Sequence, residues 1–209
     1  MTAPRCMLVV SAGDVRARAV AIDAALDAGV DAIQLRDRDA AGAALLVAAA
    51  ALRATTRRHG ARLLVNDRID VALAVDADGV HLPAASFTIA DARRLVGVSY
   101  LIGRSTHAAA EAVEAARAGA DYVMLGPIFA TPSKARYGAP LGIETLATTA
   151  TIPVVAIGGI TPERAALVRG AGACGVAVVR AILDAADPGA AAAALIAALA
   201  VPAAGATGR

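Results

Sequence analysis

One lysine, Lys134, stands among 20 basic side chains, in LGPIFATPSKARYGAPLG, a run rich in glycine, proline and hydroxyls. Where arginine fills every other cationic position, a single retained amine suits work that a guanidinium does poorly, such as proton transfer or a mobile point charge on a diphosphate. A second chemical signal is AIGGIT, whose Gly158 and Gly159 present bare backbone just ahead of a helix starting at Pro162. VVRA places Val179 and Arg180 after another apolar run. Amide donors, a helix amino end and a guanidinium together suit a phosphate. The remaining signals are polar side chains that close short β-branched runs: Gln34, Arg36 and Arg38 in AIQLRDR, Asn66 and Asp67 after RLLV, His81 in GVHL, and Ser105 with His107 in GRSTH. Each has a bland reading as turn former, core histidine or solvated charge. Together, facing one mouth, they are hard to explain as packing.

Such a gathering needs an architecture that brings strand ends together. Four segments match when stacked: AGVDAIQLR from Ala28, AVDADGVHL from Ala74, AGADYVMLG from Ala118 and AGACGVAVV from Ala171. Each reads as a helix end, a turn residue and a strand. CMLVV precedes them, and RLLVN, YLIGRS and PVVAIGG lie between them, which makes eight strands. Intervening stretches such as 108–118 and 162–171 carry helical periodicity with small-residue faces. Eight βα units predict an α/β protein, a single (β/α)8 TIM barrel over residues 1–209, with its chemistry at the carboxyl ends of the strands and a phosphate site in the loops after strands 7 and 8. The alanine-rich run after Gly189 reads as a last helix, with a frayed tail beyond about residue 200. An open doubly wound sheet is the alternative, but SAGDVRAR after strand 1 lacks the GxGxxG turn of that fold. Alternation in AIQLR sets Gln34 and Arg36 on one face, Ile33 and Leu35 on the other.

Composition narrows the partners. A net charge of +2, with no massed basic run, argues against nucleic acid and anionic membrane surfaces. The sequence has no apolar run long and uncharged enough to span a bilayer, and no cleavable leader pattern. Cys6 and Cys174, far apart in apolar runs without metal-site spacing, suit buried thiols in a reducing cytoplasm. The expected partner is a phosphorylated small molecule, with assembly into a homo-oligomer left open.

In this order, QLRDRD, LLVNDRIDVALAVDADGVHL, IGRSTH, ADYVMLGPIFATPSK, PLG, IPVVAIGGIT and GVAVVRAI resemble the thiamin phosphate synthase superfamily across nearly the whole chain. The resemblance implies a (β/α)8 barrel and one of two activities. Synthases join a pyrimidine methyl diphosphate to a thiazole phosphate, and a tautomerase branch aromatises a carboxythiazole phosphate. It also implies that Gln34, Arg36, Asn66, Asp67, Ser105, Thr131, Ser133, Lys134 and Gly159 stand where synthases contact pyrimidine, magnesium, diphosphate and thiazole phosphate. Three positions depart from the synthase pattern. Arg38 replaces a lysine, Pro83 and Ala84 replace Gly-Gln, and Ser86 replaces the aspartate that gives magnesium its second carboxylate. LPxxSF together with GRSxH and RxR resembles the tautomerase branch.

The leading expectation is therefore a tautomerase-like isomerase that needs no cofactor and acts on a phosphorylated thiazole. Proton transfer would fall to His107, His81 or Lys134; the branch can also place a histidine where Pro127 stands here. Gln34, Arg36, Arg38, Asn66, Ser105, Thr131, Ser133 and Lys134 would bind substrate, and Gly158, Gly159, Val179 and Arg180 its phosphate. The alternative is the synthase, with Mg²⁺ at Asp67, because a departing diphosphate needs its charge neutralised. A third reading is a barrel that keeps the phosphate site and sequesters or senses a thiamin precursor without chemistry.

Overall fold

A computed structural model describes residues 2–131, 139–148 and 151–200. Eight parallel strands close into one barrel in sequence order, β1 (Cys6–Val10), β2 (Ala32–Leu35), β3 (Arg62–Asn66), β4 (Gly79–Leu82), β5 (Leu101–Thr106), β6 (Tyr122–Leu125), β7 (Val154–Ile157) and β8 (Gly175–Val178), with β8 pairing back onto β1. The expected (β/α)8 architecture is thus observed, and the open doubly wound sheet is not. Helices alternate with the strands: α1 (Ala12–Ala17), α2 (Ala19–Asp27), α3 (Gly42–His59), α4 (Ile69–Ala74), α5 (Ile89–Val96), α6 (Ala109–Arg117), α7 (Glu144–Ala147), α8 (Pro162–Gly170), α9 (Arg180–Leu183) and α10 (Pro188–Leu199). The expected frayed tail lies outside the described residues.

The sequence repeat has a physical basis at the amino ends of the strands. The chain passes from helix to strand through left-handed backbone at Gly29 (φ 105), Asp76 (φ 53), Gly119 (φ 90) and Gly172 (φ 108). Glycine meets no Cβ penalty there, and aspartate tolerates that region better than most residues. Two residues further on, three of the four repeats carry an aspartate that clamps the strand before it. Asp31 accepts from the Cys6 amide at 2.9 Å, Asp78 from Leu63 at 2.7 Å and Asp121 from Ile102 at 2.7 Å. Each also pairs with an arginine: Arg62, Arg53 and Arg93 respectively.

Alternation along the strands divides the core in two. Leu8, Ile33, Leu63, Val65, Val80, Ile102, Val123 and Val176 face the helices. Met7, Val9, Ala32, Leu64, Leu101, Tyr122, Met124, Val155 and Ala177 fill the barrel itself. Toward the carboxyl ends this apolar filling gives way to Gln34, Asn66 and His81, all buried. A polar upper layer above an apolar plug positions a site at the mouth.

Candidate active site

The centre of the mouth is a buried hydrogen-bonded row. His81 on β4 is in register with Asn66 on β3 and Gly103 on β5, and Gly103 is in register with Tyr122 on β6. His81 Nδ1 lies 3.1 Å from the Tyr122 hydroxyl, and Nε2 lies 2.8 Å from Ser105 Oγ. The tyrosine ring fits because residue 103 has no side chain: a Cβ there would sit 2.2 Å from Tyr122 Cζ. Burial first, then the positive charges of Arg36 and Arg104, pull the His81 pKa down to about 3, so its ring is neutral at physiological pH. Burial pushes the Tyr122 phenol up in turn, so its hydroxyl keeps its proton. Gln34, buried to 1% exposure, donates to Met7 Sδ at 3.4 Å. A thioether is a weak acceptor, so a ligand acceptor could replace it at little cost.

Asp67 follows β3 with φ 67, and its amide donates to the His81 carbonyl at 3.0 Å. The left-handed turn directs the chain into α4 immediately past the strand. Ser86, in the loop after β4, donates its hydroxyl to Asp67 Oδ1. Arg104 holds this loop in place by donating to the carbonyls of Ala84 at 2.7 Å and Phe87 at 2.9 Å, and Thr88 then caps α5. Asp67 and Ser86 thus offer a carboxylate and a hydroxyl at one spot. Mg²⁺ takes oxygen ligands, keeps several waters and is often held by one or two carboxylates plus substrate phosphates. The pair fits a cation whose remaining ligands are waters or phosphate oxygens. Among the described residues no group of three or more histidine, cysteine, aspartate or glutamate side chains could hold a metal by itself.

At the opposite rim the two glycines after β7 have a steric reason. Gly158 (φ 100) and Gly159 (φ 65) pack under the loop after β6, where a Cβ would lie 2.6 Å from Pro127 Cβ or 2.7 Å from the Ala130 carbonyl. The Ile128 and Phe129 amides donate to the Ile157 and Gly158 carbonyls. Arg164 donates to the Gly159 carbonyl at 2.7 Å and lies 4.8 Å from the Phe129 ring centroid. Val179 and Arg180 are exposed at the start of α9, and Arg180 Nη2 donates to Thr131 Oγ1 at 3.2 Å. β7 ends at Ile157, two residues before the end of the apolar run read from sequence.

The structure therefore brings together His81, Ser105 and Tyr122; Asp67 and Ser86; and Thr131 with Arg180. Arg36 is half-buried and Arg38 exposed just past β2. His107 is exposed, its amide donating to Glu111 Oε2 at 2.7 Å and its ring 3.8 Å from the same carboxylate, apart from the row around His81. Ser133 and Lys134 lie outside the described residues. Sequence reading missed Tyr122, Arg104 and Arg164. The signal for Tyr122 was the pairing of the largest interior aromatic with a glycine on the neighbouring strand. Arg104 was visible as the one charge within the strand run YLIGRS.

Residues 6–182 match the family model described as thiamine monophosphate synthase. A putative thiamine-phosphate synthase from Geobacter sulfurreducens is 47% identical over 181 residues, 85% of each chain. The thiamine-phosphate synthase of Chloroflexus aurantiacus is 47% identical over 193 residues, 90% of this chain and 89% of that one. A bifunctional thiamine biosynthesis protein, ThiM/ThiE, from Symbiobacterium thermophilum is 50% identical over 84% of this chain, which spans 37% of that longer protein. Among solved structures, thiamine phosphate pyrophosphorylase from Pyrococcus furiosus superposes with a TM-score of 0.84 at 34% identity, covering 93% of this chain and 95% of that one. A 3-hexulose-6-phosphate synthase from Salmonella typhimurium, at 19% identity and TM-score 0.70, shares the fold alone.

These names overturn the expectation of a tautomerase-like isomerase, which rested on LPxxSF, GRSxH and RxR and on the serine at position 86. Relatives sharing almost half their residues with this chain are named as synthases, a transferase activity. The serine at position 86 is compatible with synthase chemistry. A serine in place of a second carboxylate removes a charge but leaves an oxygen on the same side, and diphosphate oxygens can complete a magnesium shell. No helix among the described residues is long and apolar enough to cross a membrane.

Proposed function

The chain belongs to the thiamine monophosphate synthase family, and we propose that it is a thiamine-phosphate synthase, joining hydroxymethylpyrimidine diphosphate to thiazole phosphate with release of diphosphate. The observation that carries this reading is the near-full-length similarity to proteins named for that activity, and the mouth geometry supports it. The reaction breaks a carbon–oxygen bond to the diphosphate and gives the methylene carbon to the thiazole. Mg²⁺, when bound, would neutralise the departing diphosphate, and Asp67 with Ser86 would hold it.

The chain's own side chains perform the rest. Gln34 and Asn66, buried in the upper layer, orient a heterocycle through amide donors and acceptors. Arg36 and Arg38 set positive charge beside it, and Ser133 and Lys134, which lie outside the described residues, are among the positions that the resemblance implies contact substrate. Gly158, Gly159, Val179 and Arg180 hold the thiazole phosphate through backbone amides and one guanidinium. Neutral His81 is a poor general acid and serves as a positioning group. The test is direct. The pure protein with both substrates and Mg²⁺ should form thiamine phosphate and diphosphate in equal amounts, and a chelator should stop it. No thiamine phosphate under these conditions would overturn the reading.

A further inference from the structure

We infer that Tyr122 and His81 together fix the polarity of Ser105, so that its hydroxyl proton points into the mouth as a hydrogen-bond donor to the diphosphate substrate. The protons along the buried row have one arrangement that leaves no donor unused. Tyr122 is fully buried, and among the described residues its hydroxyl meets one hydrogen-bonding group, His81 Nδ1 at 3.1 Å. A phenolic O–H buried without an acceptor forfeits a hydrogen bond that water would have supplied. The phenol therefore donates, and Nδ1 accepts and carries no proton. The ring proton then sits on Nε2, which donates across 2.8 Å to Ser105 Oγ. Ser105 has spent a lone pair on His81, and its own O–H is left to donate elsewhere. Ser105 stands at the carboxyl end of β5, half-buried, so that donor is directed to the mouth.

Nothing in the row permits the opposite polarity without an orphaned proton. If Nδ1 held the proton, Tyr122 would accept and its own O–H, fully buried inside the barrel, would be left with no acceptor among the described residues. The tyrosine cannot easily turn away, because its ring fills the space that Gly103 leaves open. Tyr122 and His81 are thus positioning residues that act through Ser105. A pre-oriented donor aimed at an anionic or lone-pair acceptor needs no reorganisation when substrate arrives.

The polarity itself is a property of the unliganded protein, and only the identity of the acceptor rests on the synthase reading. Side-chain ¹H–¹⁵N correlation of His81 at neutral pH should show the proton on Nε2 and none on Nδ1. A proton on Nδ1, or on both nitrogens, overturns the inference whatever the protein's activity. The second arm is a cycle of Ser105→Ala, Tyr122→Phe and the double variant, read as kcat and KM for the diphosphate substrate. Tyr122→Phe should lower kcat/KM roughly 3- to 10-fold, the range of one hydrogen bond. The double variant should match Ser105→Ala within about 2-fold, because the phenol acts only through the serine. Multiplying losses would show that Tyr122 acts independently and would overturn the coupling. A wild-type protein without synthase turnover would count against the proposed function alone, since the nitrogen assignment still decides the polarity.

Discussion

Ser86 donates its hydroxyl to Asp67 Oδ1, so the loop after β4 closes onto the residue that ends the polar rim of β3. The contact places a neutral donor where the resemblance expects a second acid. Arg104 fixes the loop that carries it, which makes the arrangement a property of the fold. A hydroxyl stabilises the Asp67 charge without repelling it, and it can turn its lone pairs to a cation when one arrives.

Ser86→Asp should convert this contact into two like charges. Without metal the variant should lose about 1.5–3 kcal/mol at neutral pH, the worth of a hydrogen bond to a charged group, with repulsion adding to it. Mg²⁺ at ten times its Kd should return about 1.4 kcal/mol by binding the folded state. A melting series against Mg²⁺ checks this; equal metal dependence in parent and variant would mean that residue 86 takes no part in the cation site.

Arg180→Ala should weaken the phosphorylated thiazole and spare its unphosphorylated alcohol. One charge-assisted hydrogen bond is lost, roughly 1.5–3 kcal/mol, or about 10- to 150-fold in Kd. Titration calorimetry with the two ligands separates them. Equal weakening of both would reduce Arg180 to its contact with Thr131.

His81 should make stability depend on acid pH. Its folded pKa, about 3, lies below the ordinary 6.5, so the unfolded chain binds the extra proton between those values. Stability from this group is complete above about pH 6.5 and is lost as pH falls toward 3, at up to about 1.4 kcal/mol per pH unit. Carboxylates titrate in the same window, so the measurement is the difference in urea midpoints between parent and His81→Gln from pH 7 to pH 4.5. The parent should lose stability faster; parallel curves would place a protonated His81 inside the fold.

Gly103→Ala should be severe for so small a change. The new methyl would meet the Tyr122 ring at 2.2 Å, and overpacking of this kind costs roughly 1–3 kcal/mol or more. Denaturant unfolding should show the loss, and the shift of Tyr122 should also disturb its bond to His81. Unchanged stability would mean that the ring has room to move.

The amino-acid sequence by itself determined the barrel and most of its framework. Local pattern carries that information: the helix-to-strand repeat, the left-handed turn at Gly29, Gly119 and Gly172, and the aspartates 31, 78 and 121 all act within or next to their own βα unit. Alternation also fixed which strand residues face inward, so Gln34, Asn66, His81 and Ser105 were identifiable as one set. Only the tertiary structure decided which of them meet. Closure of the barrel sets the register between strands, and that register joined His81 to Tyr122 across 41 residues and to Ser105 across 24. It likewise seated Ser86 on Asp67 and left His107 beside Glu111 in the first turn of the following helix, α6. A residue type announces what chemistry a side chain can do. Whether a histidine holds a proton, and on which nitrogen, depends on burial and on partners that a linear pattern does not contain.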